Sequence, residues 1–220
     1  MELLKLLRPH QWVKNGFVFV GLLFNSSVNG DWELRSLVLF AAAGFCLMSS
    51  CVYILNDVFD RAADRAHPLK RARPLAAGMV GVNQAYALAF VCGAGGLALG
   101  AMASTVVIAI LLVYLALNLA YSAGLKNIAI LDVFIIATGF MLRIFAGTWG
   151  VDIAPSHWLL LCGLLLTIFL GFAKRRAELM ASDGIGSNGA SQRAVLYDYT
   201  PALLDNMMAI SAAGVIVSYS

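Results

Sequence analysis

The sequence predicts an all-α protein that crosses a membrane several times. Of its 220 residues, 61% are hydrophobic and only 12% are charged, whereas soluble domains carry about 25% charged residues. The mean hydropathy is +0.84, and the chain contains several apolar runs close to the length of a bilayer. Because so few polar side chains cannot cover this chain in water, we expect most of its surface to face lipid.

Seven apolar runs are candidates for spanning helices, each of which needs about 20 largely apolar residues. They lie at 12–24, 34–55, 84–102, 105–121, 128–148, 158–173 and from about 206 to the last residue. The seventh run has only about 15 residues before the sequence ends at 220. We therefore expect one transmembrane domain, residues 1–220, that is truncated at its C-terminal end.

The basic residues fall in every second connecting segment. Of the 15 Lys and Arg residues, all but Arg35 and Arg143 lie in this set, whereas segments 25–33, 101–104 and 150–157 have none. The positive-inside rule therefore predicts a cytoplasmic N-terminus in a cell (plasma or inner) membrane. It also places two long loops, 56–83 and 174–205, in the cytoplasm, and we expect these loops to carry the site because function is common in long loops.

An acidic motif follows the second apolar run. Asn56 and Asp57 are followed by Asp60 and Asp64, in the pattern N-D-x-x-D-x-x-x-D. On one continuous helix the three carboxylates would lie within about 60° of one another. They would repel one another unless a cation joined them, and Mg²⁺ prefers a few carboxylates with phosphate and water oxygens. The motif predicts a Mg²⁺ site; the alternative is a solvated helix end whose acids are offset by nearby arginines.

Basic residues follow this motif and recur after the sixth run. Lys70 and Arg73 come directly after the acids, and Lys174, Arg175 and Arg176 are consecutive. Arginine can hold phosphate oxygens in a bidentate manner and lysine can hold them as a point charge. The combination of acids and bases predicts a magnesium-bound phosphate group. The alternative for both basic groups is anchoring at the lipid head groups.

Other polar residues are predicted near the same membrane face. The candidate substrate-binding residues among them are Lys14, Asn118, Tyr121, Lys126 and Asp132. The N-terminal stretch 8–15 is both polar and aromatic, which is also typical of a membrane interface. Arg143 lies inside the fifth run, where an arginine should face the protein interior; a structural role and a ligand-binding role both remain open for it.

These motifs resemble the UbiA superfamily of intramembrane prenyltransferases. The resemblance runs from Arg8 to at least Glu178 and is most specific at 56–78, where the acidic motif is followed by R-P-L-A-A-G. It implies nine helices around a central cavity, of which about seven are present here. It also implies that Asp57, Asp60 and Asp64 are the catalytic, metal-binding residues that hold a Mg²⁺-diphosphate.

Within the superfamily, the strings at 8–15, 56–78, 121–133 and 174–179 are most similar to members that act on phosphoribose. This implies transfer of 5-phosphoribose from phosphoribosyl diphosphate to a polyprenyl phosphate such as decaprenyl phosphate, with release of pyrophosphate, for cell-wall arabinan precursors. Members that prenylate aromatic rings carry a second acidic cluster where this chain has K-R-R-A-E. The basic residues suit the additional 5-phosphate, and Lys14 and Lys126 are candidates for positioning the anionic substrates.

Two other functions remain open. An aromatic prenyltransferase of the same superfamily would use a prenyl diphosphate donor and a quinone precursor or a similar ring. A transporter could also contain polar groups within its spans, but its site would lie near the midplane rather than at one face. The expected partners are the bilayer, the polyprenyl phosphate and phosphoribosyl diphosphate; we expect no nucleic acid, and a homo-oligomer remains open.

Overall fold

The computed structural model describes residues 2–24, 31–68, 70–184, 196 and 198–219, and within these ranges the chain is helical without strands. This agrees with the predicted all-α class. The predicted loop at 25–33 and the basic residue Arg193 lie partly or wholly outside the described ranges. The α-helices are α1 (Glu2–Leu7), α2 (Val20–Phe24), α3 (Trp32–Phe59), α4 (Arg61–Ala66), α5 (Val82–Ala103), α6 (Thr105–Ala123), α7 (Leu131–Ala146), α8 (His157–Gly184) and α9 (Pro201–Tyr219).

Six helical segments of the described chain are long and apolar enough to cross a membrane, judged by length and composition. They are α3, α5, α6, α7 with its following turn, α8 and α9. The first predicted span, 12–24, differs from the prediction: it consists of an eleven-residue 3-10 helix, Pro9–Phe19, followed by the short helix α2. Several polar side chains of this segment form hydrogen bonds to α3. The segment is therefore a polar contact surface for α3 rather than one regular apolar helix.

Two helices extend well beyond the apolar runs that predicted them. Helix α3 begins one residue after Asp31, whose carboxylate accepts a hydrogen bond from the Leu34 backbone N–H at 3.1 Å and caps the helix. Helix α8 continues through the basic run to Gly184, since Lys, Arg, Ala, Glu and Leu are all good helix formers. The first part of the predicted loop 174–205 is therefore helical.

The chain divides into two compact units. The first comprises 1–119 and 142–154, and the second comprises 120–141 and 155–220. In the first unit, α3 packs closely on α5 through glycines. A Cβ atom on Gly96 would lie 3.0 Å from the Gly44 carbonyl oxygen and 3.1 Å from the Met48 backbone nitrogen. Small residues at such crossings let two membrane helices approach closely.

The core of the second unit is formed by side chains from three helices and the segment before α9. Its buried hydrophobic members are Val133, Ala137, Ile168, Phe172, Tyr199 and Leu204. Gly171 of α8 faces the side chain of Val133, because a Cβ added at Gly171 would lie 2.7 Å from Val133 Cγ1. Helix α7 therefore packs closely on α8 within this unit.

Replacing Gly147 with alanine is expected to destabilise the first unit by about 3 kcal/mol, the upper part of the range for overpacking. A Cβ at Gly147 would overlap the carbonyl oxygen of Val18, and backbone atoms cannot move aside as a flexible side chain can. The free energy of unfolding in mixed micelles is the measurement. Gly16→Ala is the matched control, since nothing lies within 4 Å of a Cβ at that position; an equal loss in both variants would contradict this account.

Candidate functional site

From the sequence we expected the acidic motif to lie on one continuous helix, but the structure divides it between two helices. Helix α3 ends at Phe59, and Asp60 has φ −86° and ψ 1°, outside the helical region, before α4 begins at Arg61. The motif is therefore divided between two helices, and a face shared by all three carboxylates stays a prediction. Asp57 and Asp64 are both buried, whereas Asp60 is half-buried and accepts a hydrogen bond from the Asn56 amide at 3.2 Å.

Asp57 and Asp64 are brought together by an arginine. Arg73 Nη1 lies 3.1 Å from Asp57 Oδ1 and 2.7 Å from Asp64 Oδ2, so one nitrogen donates to both carboxylates. Arg8 Nη2 also donates to Asp57 Oδ1, at 2.5 Å, and the Arg8 guanidinium lies over the ring of Tyr53, 5.4 Å from its centroid. Two guanidinium groups thus neutralise two buried acids that would otherwise repel each other.

The segment that carries Arg73 is fixed to α4 by side chain to backbone hydrogen bonds. Arg61 Nε donates to the Leu75 carbonyl at 3.2 Å, and Arg65 Nε donates to the Ala76 carbonyl at 3.0 Å. Gly78 then adopts φ +77°, a left-handed conformation that favours glycine. The R-P-L-A-A-G string is therefore a turn held against α4, which explains how Arg73 reaches back to Asp57 across 16 residues.

The N-terminal 3-10 helix is attached along α3 by a row of polar contacts. Arg8 pairs with Asp57, and Trp12 Nε1 donates to Ser50 Oγ at 3.0 Å. Asn15 Nδ2 donates to Ser49 Oγ at 3.3 Å. A polar, aromatic stretch that resembled a membrane interface is thus partly a contact surface for α3.

Arg143 is buried in the first unit among neutral and aromatic groups. Its Nε donates to Asn15 Oδ1 at 2.8 Å, and its Nη2 donates to the Tyr114 hydroxyl at 3.0 Å. Its guanidinium also lies over the rings of Phe45 and Tyr114. Burial lowers the pKa of the nearby Lys14 ammonium, and the positive charges of Arg143 and Arg8 lower it further. Positive charge is therefore concentrated beside the 3-10 helix.

The second unit contains a separate buried ion pair. Arg175 Nε lies 3.4 Å from Asp132 Oδ2, and both side chains are fully buried. Arg175 Nη1 also donates to Glu178 Oε2 at 2.7 Å. The Tyr199 hydroxyl donates to Asp132 Oδ1 at 2.6 Å and accepts from the Ile130 backbone N–H at 2.6 Å. Burial raises the pKa of Tyr199 well above its usual value, and its hydrogen bond to Asp132 raises it further.

The three consecutive basic residues of α8 have different environments. Lys174 is exposed, Arg175 is buried, and Arg176 Nε donates to Asp205 Oδ1 of α9 at 2.8 Å. Their predicted contact with phosphate stays a prediction. A helix turns by about 100° at each residue, so neighbouring residues cannot share one environment.

The other predicted site residues are divided between the two units. Lys14, Asn56, Lys70 and Asn118 belong to the first unit with the acidic motif, and Asn118 donates to the Tyr114 carbonyl at 2.8 Å. Tyr121, Lys126 and Asp132 belong to the second unit. The structure brings Asp57, Asp64 and Arg73 together; for the remaining residues, a role at the site stays a prediction.

The fit of a metal ion rests on two carboxylates rather than three. Within the described residues, no group of three His, Cys, Asp or Glu side chains is arranged to hold a metal ion. Asp57 and Asp64 nevertheless converge on one cationic nitrogen, which shows that their oxygens can share a positive charge. Mg²⁺ is commonly held by one or two carboxylates together with substrate phosphates. The pair fits Mg²⁺ when a phosphate-bearing substrate supplies the other ligands.

For three residues of these clusters, the contact partner could not be predicted from the sequence. Arg8 contacts Asp57 across 49 residues, Arg143 contacts Asn15 across 128, and Tyr199 contacts Asp132 across 67. The clearest signal for such a contact was chemical, because an arginine inside an apolar run must find polar partners. Arg143 was singled out for that reason. Arg8 carried a weaker signal, its position in a stretch rich in polar and aromatic residues.

The described chain contains helices long enough to span a membrane, and paired acids and arginines lie where one of these helices ends. Together these features define a membrane-embedded protein that handles charged groups. The chain belongs to the UbiA prenyltransferase family, whose model matches residues 16–187. It is therefore a multi-pass membrane enzyme of the transferase class, as the sequence predicted.

Relatives and solved structures agree with this assignment. The chain is 37% identical over 220 residues to the decaprenyl-phosphate phosphoribosyltransferase of Mycolicibacterium smegmatis, covering 99% of this chain and 68% of that protein. It is 38% identical over 218 residues to the enzyme of the same name from Mycobacterium tuberculosis H37Rv, covering 98% and 71%. A UbiA homologue from Archaeoglobus fulgidus, bound to GPP and Mg²⁺, has the same fold, with a TM-score of 0.81, 18% identity, and coverage of 100% of this chain and 76% of that one. The chain thus spans about two thirds of the length of these curated relatives.

Proposed function

We propose that this enzyme transfers 5-phosphoribose from phosphoribosyl diphosphate to a polyprenyl phosphate and releases pyrophosphate. The observation that carries the proposal is the cluster of Asp57, Asp64, Arg73 and Arg8, two acids and two arginines at the end of a span. The mycobacterial relatives, named for this activity, support it. Decaprenyl phosphate is the acceptor in their name, and a role in cell-wall arabinan synthesis belongs to the same proposal.

The bond changes in this reaction suit a site made of charged, positioned groups. The bond from ribose C1 to the diphosphate oxygen breaks, and a bond from C1 to an oxygen of the lipid phosphate forms. Pyrophosphate leaves with the electron pair. The acceptor phosphate is already anionic, so no side chain has to remove a proton. Positioning and electrostatic stabilisation therefore account for most of the proposed catalysis.

Asp57 and Asp64 are the residues that we propose hold Mg²⁺. When bound there, the ion would neutralise the charge that develops on the leaving diphosphate. The arginines would orient the diphosphate, because guanidinium groups match phosphate oxygens in bidentate geometry. Asp60, half-buried and bonded to Asn56, is a weaker candidate for direct metal contact. We place this site at the cytoplasmic side of the plasma or inner membrane on the strength of the basic loops.

Incubating membranes that contain this chain with labelled phosphoribosyl diphosphate and polyprenyl phosphate is expected to give label in the organic extract. Removing divalent cations with a chelator should abolish the product, and adding Mg²⁺ should restore it. Glu33→Gln is a suitable control variant, since Glu33 is exposed in the first turn of the same helix α3. It should retain activity.

A parallel incubation with a labelled prenyl diphosphate and an aromatic acceptor distinguishes the other reaction of the family. Product in that incubation, without labelled phosphoribosyl lipid in the first, would replace our proposal with aromatic prenyl transfer. Membranes without the chain provide the background for both incubations. Labelled phosphoribosyl lipid that forms equally well with chelator present would instead remove Mg²⁺ from the proposal.

A further inference from the structure

Arginines occupy one oxygen of each of the two buried carboxylates of the acidic motif. Arg73 Nη1 lies between Asp57 Oδ1 and Asp64 Oδ2, and Arg8 Nη2 occupies the same Asp57 oxygen. Both acids are only about 3% exposed. A cation that bridged these two oxygens would need the position that Arg73 Nη1 now holds. Metal and guanidinium therefore compete for the same oxygens.

The arginines, in contrast to the acids, are accessible. The side chain of Arg73 is 30% exposed and that of Arg8 is 22% exposed. Each guanidinium therefore has N–H groups that an incoming anion can reach. A diphosphate offers several charged oxygens, and arginine binds these at least as well as it binds a carboxylate. An arriving diphosphate can thus draw both arginines away from the aspartates.

The energetics favour a coupled exchange. Removing the arginines alone would leave two buried carboxylates repelling each other, which is costly. Inserting a divalent ion alone would leave two displaced guanidinium groups beside a new positive charge. When the ion and the diphosphate arrive together, the acids gain the metal while the arginines gain the phosphate. Every charge in the cluster then has a partner before and after binding.

We propose that Arg73, assisted by Arg8, is an internal counter-ion that makes metal binding depend on diphosphate binding. Arg73 holds Asp57 and Asp64 together until a metal–diphosphate arrives, and its guanidinium then moves from the carboxylates to the diphosphate. This rests on the proposed function only in taking a diphosphate as the ligand. The proposal gives Arg73 two successive partners, first the carboxylates and then the diphosphate. A residue that only binds phosphate would have one.

The test uses the sign of two binding changes in one variant. Arg73→Gln removes the competitor from the carboxylates and also removes a ligand from the diphosphate. Binding of Mn²⁺ alone, followed by the electron paramagnetic resonance signal of the free ion, should become about tenfold tighter or more. Binding of Mg²⁺-pyrophosphate, measured by calorimetry, should become about tenfold weaker, as expected for losing a charged hydrogen bond.

Matched variants separate this exchange from general changes of charge. Arg71 is exposed and lies two residues before Arg73. Arg71→Gln removes the same charge and should leave both affinities unchanged. Asp57→Asn combined with Arg73→Gln should lose the gained Mn²⁺ affinity. Arg8→Gln should shift Mn²⁺ binding in the same direction as Arg73→Gln but less, since Arg8 pairs with Asp57 whereas Arg73 pairs with both acids. It serves as the test if Arg73→Gln does not fold.

Two results would overturn the exchange. One is Mn²⁺ binding that is unchanged or weaker in both arginine variants. The other is tight Mn²⁺ binding by the unaltered chain without pyrophosphate. Neither result depends on phosphoribose, because pyrophosphate is the probe. Failure of the labelled-lipid assay with the opposite shifts intact would remove the proposed function alone, whereas phosphoribosyl transfer without those shifts would remove the exchange alone.

Discussion

Replacing Asp57 with asparagine is expected to lower phosphoribosyl transfer at least about 10³-fold, which corresponds to about 4 kcal/mol of transition-state stabilisation. Asp57 carries the most connections in the cluster, since one of its oxygens accepts from both Arg8 and Arg73. Asparagine has nearly the same shape but no charge. It would weaken the proposed metal site and leave both arginines without their shared acid.

Initial rates with labelled phosphoribosyl diphosphate are the measurement, and Glu33→Gln is the matched control. The unfolding midpoint of the Asp57→Asn variant must be determined alongside, because two arginines lose a partner. Asp57→Glu, which keeps the charge, should retain more activity than Asp57→Asn. A folded Asp57→Asn enzyme with rates within about tenfold of the unaltered enzyme would remove Asp57 from the metal site.

Replacing Arg175 with methionine should destabilise the second unit by about 3–5 kcal/mol, the usual cost of breaking a buried ion pair from one side. Arg175 and Asp132 are both fully buried, so the remaining carboxylate cannot be rehydrated without opening the unit. Arg176→Met is a matched control on the next residue. Its partner Asp205 is exposed, and exposed pairs contribute about 0–1 kcal/mol.

A double-mutant cycle with Asp132→Asn tests whether the loss comes from this pair. The double variant should recover much of the stability lost in Arg175→Met, because no unpaired carboxylate remains buried. Free energies of unfolding in mixed micelles give the coupling. If Arg175→Met instead raised the Michaelis constant for phosphoribosyl diphosphate at unchanged stability, Arg175 would be a phosphate ligand, as its sequence context predicts.

The spans were predictable because lipid imposes a simple requirement on composition and length. Six of the seven predicted runs correspond to helices that meet that requirement in the described chain. The exception, 12–24, contains Lys14 and Asn15, and the latter bonds to Arg143 and to α3. Hydropathy alone cannot show that a mostly apolar segment has polar contacts with other helices, because the residues that bond to it lie far away in sequence.

The acidic motif was predictable in identity but not in geometry. Its spacing suggests one helical face only if the helix continues, and Asp60 ends α3 instead. The convergence of Asp57 and Asp64 depends on Arg73, which a turn fixed to α4 returns to them. Side chains joined through such a turn cannot be placed from helical periodicity.

The eleven-residue 3-10 helix at Pro9–Phe19 has a consequence for axial alignment. Such a helix rises about 2.0 Å per residue, compared with about 1.5 Å in an α-helix. The seven steps from Arg8 to Asn15 therefore advance about 14 Å, close to the roughly 12 Å that α3 advances over the eight steps from Ser49 to Asp57. Ordinary α-helical winding of the same residues would advance about 10.5 Å. Both values lie within about 2 Å of the advance of α3. One short stretch therefore keeps step with α3 while it contacts Asp57 at one end and Arg143 at the other.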